Sequence, residues 1–178
     1  MDVSKIFKWP KIKISDATTI AILMAMSYVL SRIGIHTPTM VFTFGFVATA
    51  VLGAMYGPLL AGLIAGITDL IITFTTGTMY IPGFTLSAIL GAFIYGMFLY
   101  KNEKFSLVRV IISQLVIAVL VNTLLNTLWL TIFLHFDWKL IIASRIIKQI
   151  VGTPIQIVIL IFILGNPVMQ RLIHDKWK

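Results

Sequence analysis

Six blocks of nearly unbroken apolar residues, separated by glycine, proline or charged punctuation, set the frame of this chain; they cover 18–33, 39–55, 59–75, 84–100, 106–134 and 140–164. Each is read as a helix that crosses a bilayer. Tyr56-Gly57-Pro58 is a tight turn signal, so the second and third helices are expected to be antiparallel neighbours. The fifth block is long and is expected to tilt.

The polar residues inside these blocks fall on stripes. In the sixth block Arg145, Lys148, Gln149, Gly152 and Gln156 lie within roughly a 100° arc of a helix, with the glycine as a notch among four long polar side chains. Cations inside a spanning helix are costly and normally face a protein interior or a wet cavity, which points to something anionic or strongly hydrogen-bonding. Arg145 is near enough to the start of its span to snorkel to headgroups instead. Gln156, roughly 16 Å further along, is not. The fifth block carries Asn122, Asn126 and Trp129 at i, i+4 and i+7, two amides below an indole. The third carries Asp69, Thr73 and Thr76 at the same spacing. Phe44, Tyr80 and Phe84 lie near the outer ends of the second and fourth helices. Interhelical hydrogen bonds, at about 0.6 kcal/mol each, are the plain alternative for any single amide or threonine, and an interfacial belt for the aromatics. Ala17, Ala21 and Ala25 repeat every four residues on the first helix, and Gly53, Gly57, Gly62 and Gly66 are expected to let helices two and three pack closely.

Composition turns these blocks into a fold class. With 59% hydrophobic and 11% charged residues and a mean hydropathy of +1.02, the 178-residue chain is far from the one-quarter charged content of soluble domains. The expectation is an all-α membrane protein, a bundle of six transmembrane helices forming one domain over 1–178, with a basic arm at 1–15 and a tail at 166–178. The first residues show no cleavable leader, so the arm is expected to be retained. Without cysteine there are no disulfides or thiolate metal sites.

Charge then supplies an orientation. Ten of the fourteen basic residues, at positions 5, 8, 11, 13, 101, 104, 109, 171, 176 and 178, flank the same ends of the helices. The positive-inside rule assigns those ends, and both termini, to the cytoplasm. The four that remain, Arg32, Lys139, Arg145 and Lys148, fall near the outer ends of helices one and six, against the bias. An anionic ligand arriving from outside explains them; for Lys139, Asp137 and outer headgroups are an alternative. No GxxxxGK[ST], HExxH or GxSxG motif occurs, and His36, His135 and His174 are too scattered to hold a metal. At this length, with no inverted repeat, the chain reads as a binding subunit powered by something else.

The run from Tyr80 to Ala88 (YIPGFTLSA), Leu125-Asn-Thr-Leu-Trp-Leu130, and Arg145-Ile-Ile-Lys-Gln149 followed by Pro154 and Gln156, resembles the folate-specific S components of energy-coupling factor vitamin transporters. The resemblance implies a six-helix bundle in a bacterial plasma membrane that captures a folate. It also implies a complex with a transmembrane coupling protein and two ATPase subunits, and toppling of the bundle to carry its substrate inward. Ala17, Ala21 and Ala25 match the family's AxxxA docking motif. By the same inference Asn122, Asn126 and Gln156 read the pterin edges, Phe84 and Trp129 stack on rings, and Arg32, Arg145 and Lys148 balance the glutamate carboxylates. Phe44, Asp69, Tyr80 and Gln149 complete the candidate set, with no metal and no cofactor. An S component for another anionic vitamin such as pantothenate, or a small enzyme acting on lipid headgroups through Asp69, Arg145 and Lys148, are the rival readings.

Overall fold

The computed structural model describes residues 13–36, 41–101, 105–135 and 137–177. Lys5, Lys8, Lys11, Lys104 and Lys178 of the orienting set lie outside them. Helix α1 spans Ile14–Arg32; the Asp16 carboxylate accepts from the backbone N–H of Lys13 at 2.8 Å, satisfying a donor just ahead of the first turn. A short antiparallel pair follows, β1 (Gly34–His36) with β2 (Val41–Thr43), in the register Gly34 to Thr43 and Ile35 to Phe42. Gly34 has φ +156, and a Cβ there would lie 2.0 Å from the Phe42 carbonyl oxygen, so the pair closes only on glycine. The second apolar block was expected to be helical from 39. Helix begins at Phe46 instead, because Val41, Phe42 and Thr43 are β-branched or aromatic and find a strand partner.

Helix α2, Phe46–Thr76, is not one rod. At Gly57 (φ 80, ψ 178), just before Pro58, the helical path breaks. Before the break, Phe44 N–H bonds the Leu30 carbonyl near the far end of α1, whereas Tyr56 reaches Asp16 at its start. After it, Thr75 returns to Tyr28. The chain therefore doubles back at Tyr56-Gly57-Pro58, as that turn signal predicted. The first arm is about 11 residues long, only ~16 Å of helix.

Helix α3 (Pro82–Leu99) starts with proline in its first turn, where the missing N–H costs nothing. Its residues fill the space the glycines leave. A Cβ on Gly96 would sit 2.4 Å from Pro58 N, one on Gly53 2.9 Å from Tyr95 Cβ, and one on Gly66 2.9 Å from the Ile89 side chain. These glycines thus admit α3 rather than bringing the two arms of α2 against each other, which corrects the expected pairing.

The fifth block is α4 (Leu107–Val116), a π-helical segment Ile117–Leu125, and α5 (Asn126–Leu134), one continuous path. Helix α6 (Trp138–Gly165) and the short α7 (Pro167–Asp175) complete the chain. Among the described residues, five helical stretches are long and apolar enough to cross a membrane, the folded-back α2 being one of them. Fully buried Ala50, Ala61, Ala92 and Leu160 mark the centre of the bundle. At one end Lys176 Nζ meets Asp16 Oδ1 at 2.6 Å, and Trp177 Nε1 donates to the Ala54 carbonyl at 3.1 Å, fastening the tail across the start of α1 and the turn of α2.

Candidate functional site

A cavity of about 860 Å³ opens between α1, both arms of α2, α3, the π segment with α5, and α6. That volume suits a ligand of drug or vitamin size. The lining draws polar groups from every wall: Ser27 and Ser31 on α1, Thr49 and Asp69 on α2, Ser87 and Tyr95 on α3.

Arg145, only 6% exposed, stands on the α6 wall one turn from Lys148. Its Nη1 donates to the Asn122 carbonyl at 2.6 Å, and its Nε is sealed from solvent without a partner. Asn122 lies within the π segment, where wider i to i+5 turns re-aim side chains and carbonyls; such segments often occur at functional sites. Asn126 also lines the cavity, with a buried Oδ1 that has no acceptor role filled. Buried polar atoms are normally paired, so the guanidinium nitrogen and the amide oxygen that the surrounding walls leave unsatisfied mark polar strain just behind the cavity lining. Asp69 opposes the two cations in sign but is engaged by Thr85, whose hydroxyl donates to it at 2.7 Å. The lining therefore has room for further negative charge.

The floor is a chain of three side chains. Tyr95 donates to Gln114, and Gln114 Nε2 donates to Gln156 Oε1 at 2.5 Å.

Of the sequence-predicted residues, Asp69, Phe84, Asn122, Asn126, Arg145, Lys148 and Gln156 converge on this cavity. Arg32 does not: it is exposed and donates to the Tyr28 hydroxyl at 2.8 Å, over that ring. Phe44 packs edge-on to Phe42, and Tyr80 stacks on Phe74, both off the lining. Trp129 sits behind the wall. Its Nε1 donates to Ser87 at 3.1 Å and its ring covers Gly83, where a Cβ would lie 2.2 Å away. The helix-six stripe divides: Gln149 accepts from Thr153 at 3.1 Å, and the notch at Gly152 receives the Phe42 ring rather than a ligand. Gln114, Tyr95 and Ser87 were missed. Gln114 precedes Asn122 and Asn126 by eight and twelve residues, about 80° and 120° round an ideal helix, so helical spacing did not join it to them; Tyr95 and Ser87 gave no periodic signal among the glycines and aromatics of α3.

Ala17, Ala21 and Ala25 are all exposed on α1, beside exposed Ile22, Met26 and Val29.

Fold and cavity together define a membrane-embedded solute-binding bundle, built of several spanning-capable helices and so a multi-pass protein. The chain belongs to the family of substrate-specific components of ECF transporters, which it matches over residues 15–164. It is 38% identical over 151 residues to a folate transporter FolT of Clostridium novyi, covering 83% of this chain and 87% of that one. A folate transporter FolT of Leuconostoc mesenteroides subsp. mesenteroides is 33% identical over 176 residues, covering 96% and 95%. The solved structure of FolT bound with folic acid superposes with a TM-score of 0.79 at 31% identity, covering 86% of this chain and 94% of that one. Membership makes this chain a transport component and not an enzyme, which removes the lipid-headgroup reading.

Proposed function

We propose that this chain is the folate-capturing subunit of an ATP-driven importer in a bacterial plasma membrane, crossing six times with both termini in the cytoplasm. The two arms of α2 count as two crossings, the first completed outward by the β1–β2 pair. The observation that carries the reading is buried Arg145, with Lys148 one turn away, on the wall of a vitamin-sized cavity whose floor is amide-rich. A folate has matching parts: a flat pterin with donors and acceptors for Gln156, Asn126 and Asn122, aromatic faces for Phe84, and two carboxylates for the cations. The pterin goes deep, since Gln156 lies roughly 16 Å along α6 from Arg145 toward the tail. Trp129 supports the wall through Ser87, and Arg32 attracts the anion near the mouth. FolT relatives and the folic acid complex of FolT support the choice of vitamin.

The exposed Ala17, Ala21 and Ala25 face docks a transmembrane coupling protein, which joins two ATPase subunits. The test is calorimetric titration of the purified chain with folic acid, 5-formyltetrahydrofolate and pantothenate. Binding of the folates alone is expected; heat with pantothenate and none with either folate would replace the proposal with the other anionic vitamin.

A further inference from the structure

We infer that the cavity floor is a polarised relay, Tyr95 to Gln114 to Gln156, that presents Gln156 as a hydrogen-bond donor and so selects a ring carrying an oxygen acceptor over one carrying an amino group at that place. The inference rests on the reading that a pterin reaches this floor.

The direction of the relay follows from what each group can do. The Tyr95 phenol is 2% exposed and its one proton goes to Gln114 Oε1, an atom that only accepts. With its oxygen taken, Gln114, 1% exposed, must offer Nε2 to Gln156, and it does. Turning both amides over would set Gln114 Nε2 against the phenol oxygen. The Tyr95 proton would then lose the one acceptor it has among the described residues, at a phenol that is almost wholly buried. One phenolic proton thus fixes two amides. Gln156 accepts from Gln114 on its oxygen, which holds the amide from turning over, and its Nε2 makes no bond to a described residue. Since Gln156 lines the cavity, the free N–H groups are what an entering ring meets.

A 4-oxo pterin offers an acceptor there. A 4-amino ring sets donor against donor, and the relay prevents Gln156 from turning to suit it. Tyr95 and Gln114 are therefore positioning residues for specificity, even where they do not touch the ligand.

The test is calorimetric titration of the intact chain, wild type, Tyr95→Phe and Gln114→Leu, with folic acid and with its 4-amino counterpart. The wild type is expected to favour the oxo compound by tenfold or more, on the order of one well-made hydrogen bond. In Tyr95→Phe, where Gln114 can turn over, and in Gln114→Leu, the ratio is expected to fall to about threefold or less. The ratio separates orientation from packing, because general loosening of the bundle weakens both compounds alike. If one variant does not fold, the other carries the test. A wild-type preference for the amino compound, equal affinities, or a ratio unmoved by either substitution overturns the relay while leaving folate capture standing. Binding of neither compound by the wild type overturns both readings.

Discussion

Arg145→Ala is the substitution whose cost the structure defines best. The guanidinium donates to one carbonyl, and it forms no ion pair with a described residue. Its desolvation is therefore incurred on folding, and a ligand carboxylate recovers the interaction without repeating that cost. A bond to Asn122 that is kept on binding cancels in the comparison. What remains is one to two charge-assisted hydrogen bonds at about 1.5–3 kcal/mol each. We expect a net loss of about 3 kcal/mol, or about 150-fold in Kd. Lys139→Ala is the internal comparison: Lys139 is exposed, with Nζ 5.8 Å from the Trp138 ring centroid, and its removal is expected to change Kd by less than about twofold. The assay is isothermal titration with folic acid, repeated at two salt concentrations. The Arg145 effect should persist at high salt because the site is shielded from mobile ions. Small and equal losses for the two variants, with both still folded, would refute placement of a ligand carboxylate at Arg145.

Three further outcomes are expected. Ala21→Trp should keep folate binding within about twofold yet abolish uptake by cells carrying the complete transporter, since the residue is exposed on α1 and is not part of the lining; loss of binding itself would contradict that placement. Gly83→Val should displace the Trp129 indole, lowering thermal stability by about 1–3 kcal/mol and weakening ligand binding through Ser87, whereas an unshifted melting curve would show that the indole has another seat. The hydrogen bond to Asp16 holds the Lys176 ammonium above the usual lysine range. A raised folded-state pKa contributes stability that is complete below the unfolded value, about 10.4, and is lost as pH rises through the folded value. Alkaline titration should therefore release the tail, seen as a change in Trp177 fluorescence that Lys176→Met no longer shows as a titration; persistence of the step in that variant would assign it to another group.

The helices were legible because hydrophobic length is a strong signal, and Gly57-Pro58 was legible because few sequences tolerate that pair mid-helix. The β1–β2 pair was hidden. Val41, Phe42 and Thr43 are as apolar as a spanning helix, and only the partner strand, reached through Gly34, decides between the two. The π segment was hidden for a similar reason, since its extra residue per turn leaves no mark in composition. Six of the seven candidate residues that reach the cavity, all but Phe84, were found by a simple rule, that polar side chains in apolar helices face inward. The rule misplaced Gln149, whose oxygen is taken by a neighbouring threonine while its Nε2 stays buried off the cavity, and Arg32, which a tyrosine one turn away engages. Gln114 was passed over because ideal helical spacing sets it off the face of the two asparagines, and only the wider π segment between them brings it to the same cavity.

The contact of Lys176 with Asp16 spans 160 positions of sequence and brings the two ends of the described chain together. The order in which the helices are strung is therefore less binding on the architecture than their arrangement. A short linker from the region of Lys176 to that of Lys13, with a fresh opening at the connection after Tyr100, should yield a circular permutant that assembles the same barrel of walls. Such a molecule would carry its free ends beside Tyr100, whose ring packs edge-on to Trp177 at that same end of the bundle.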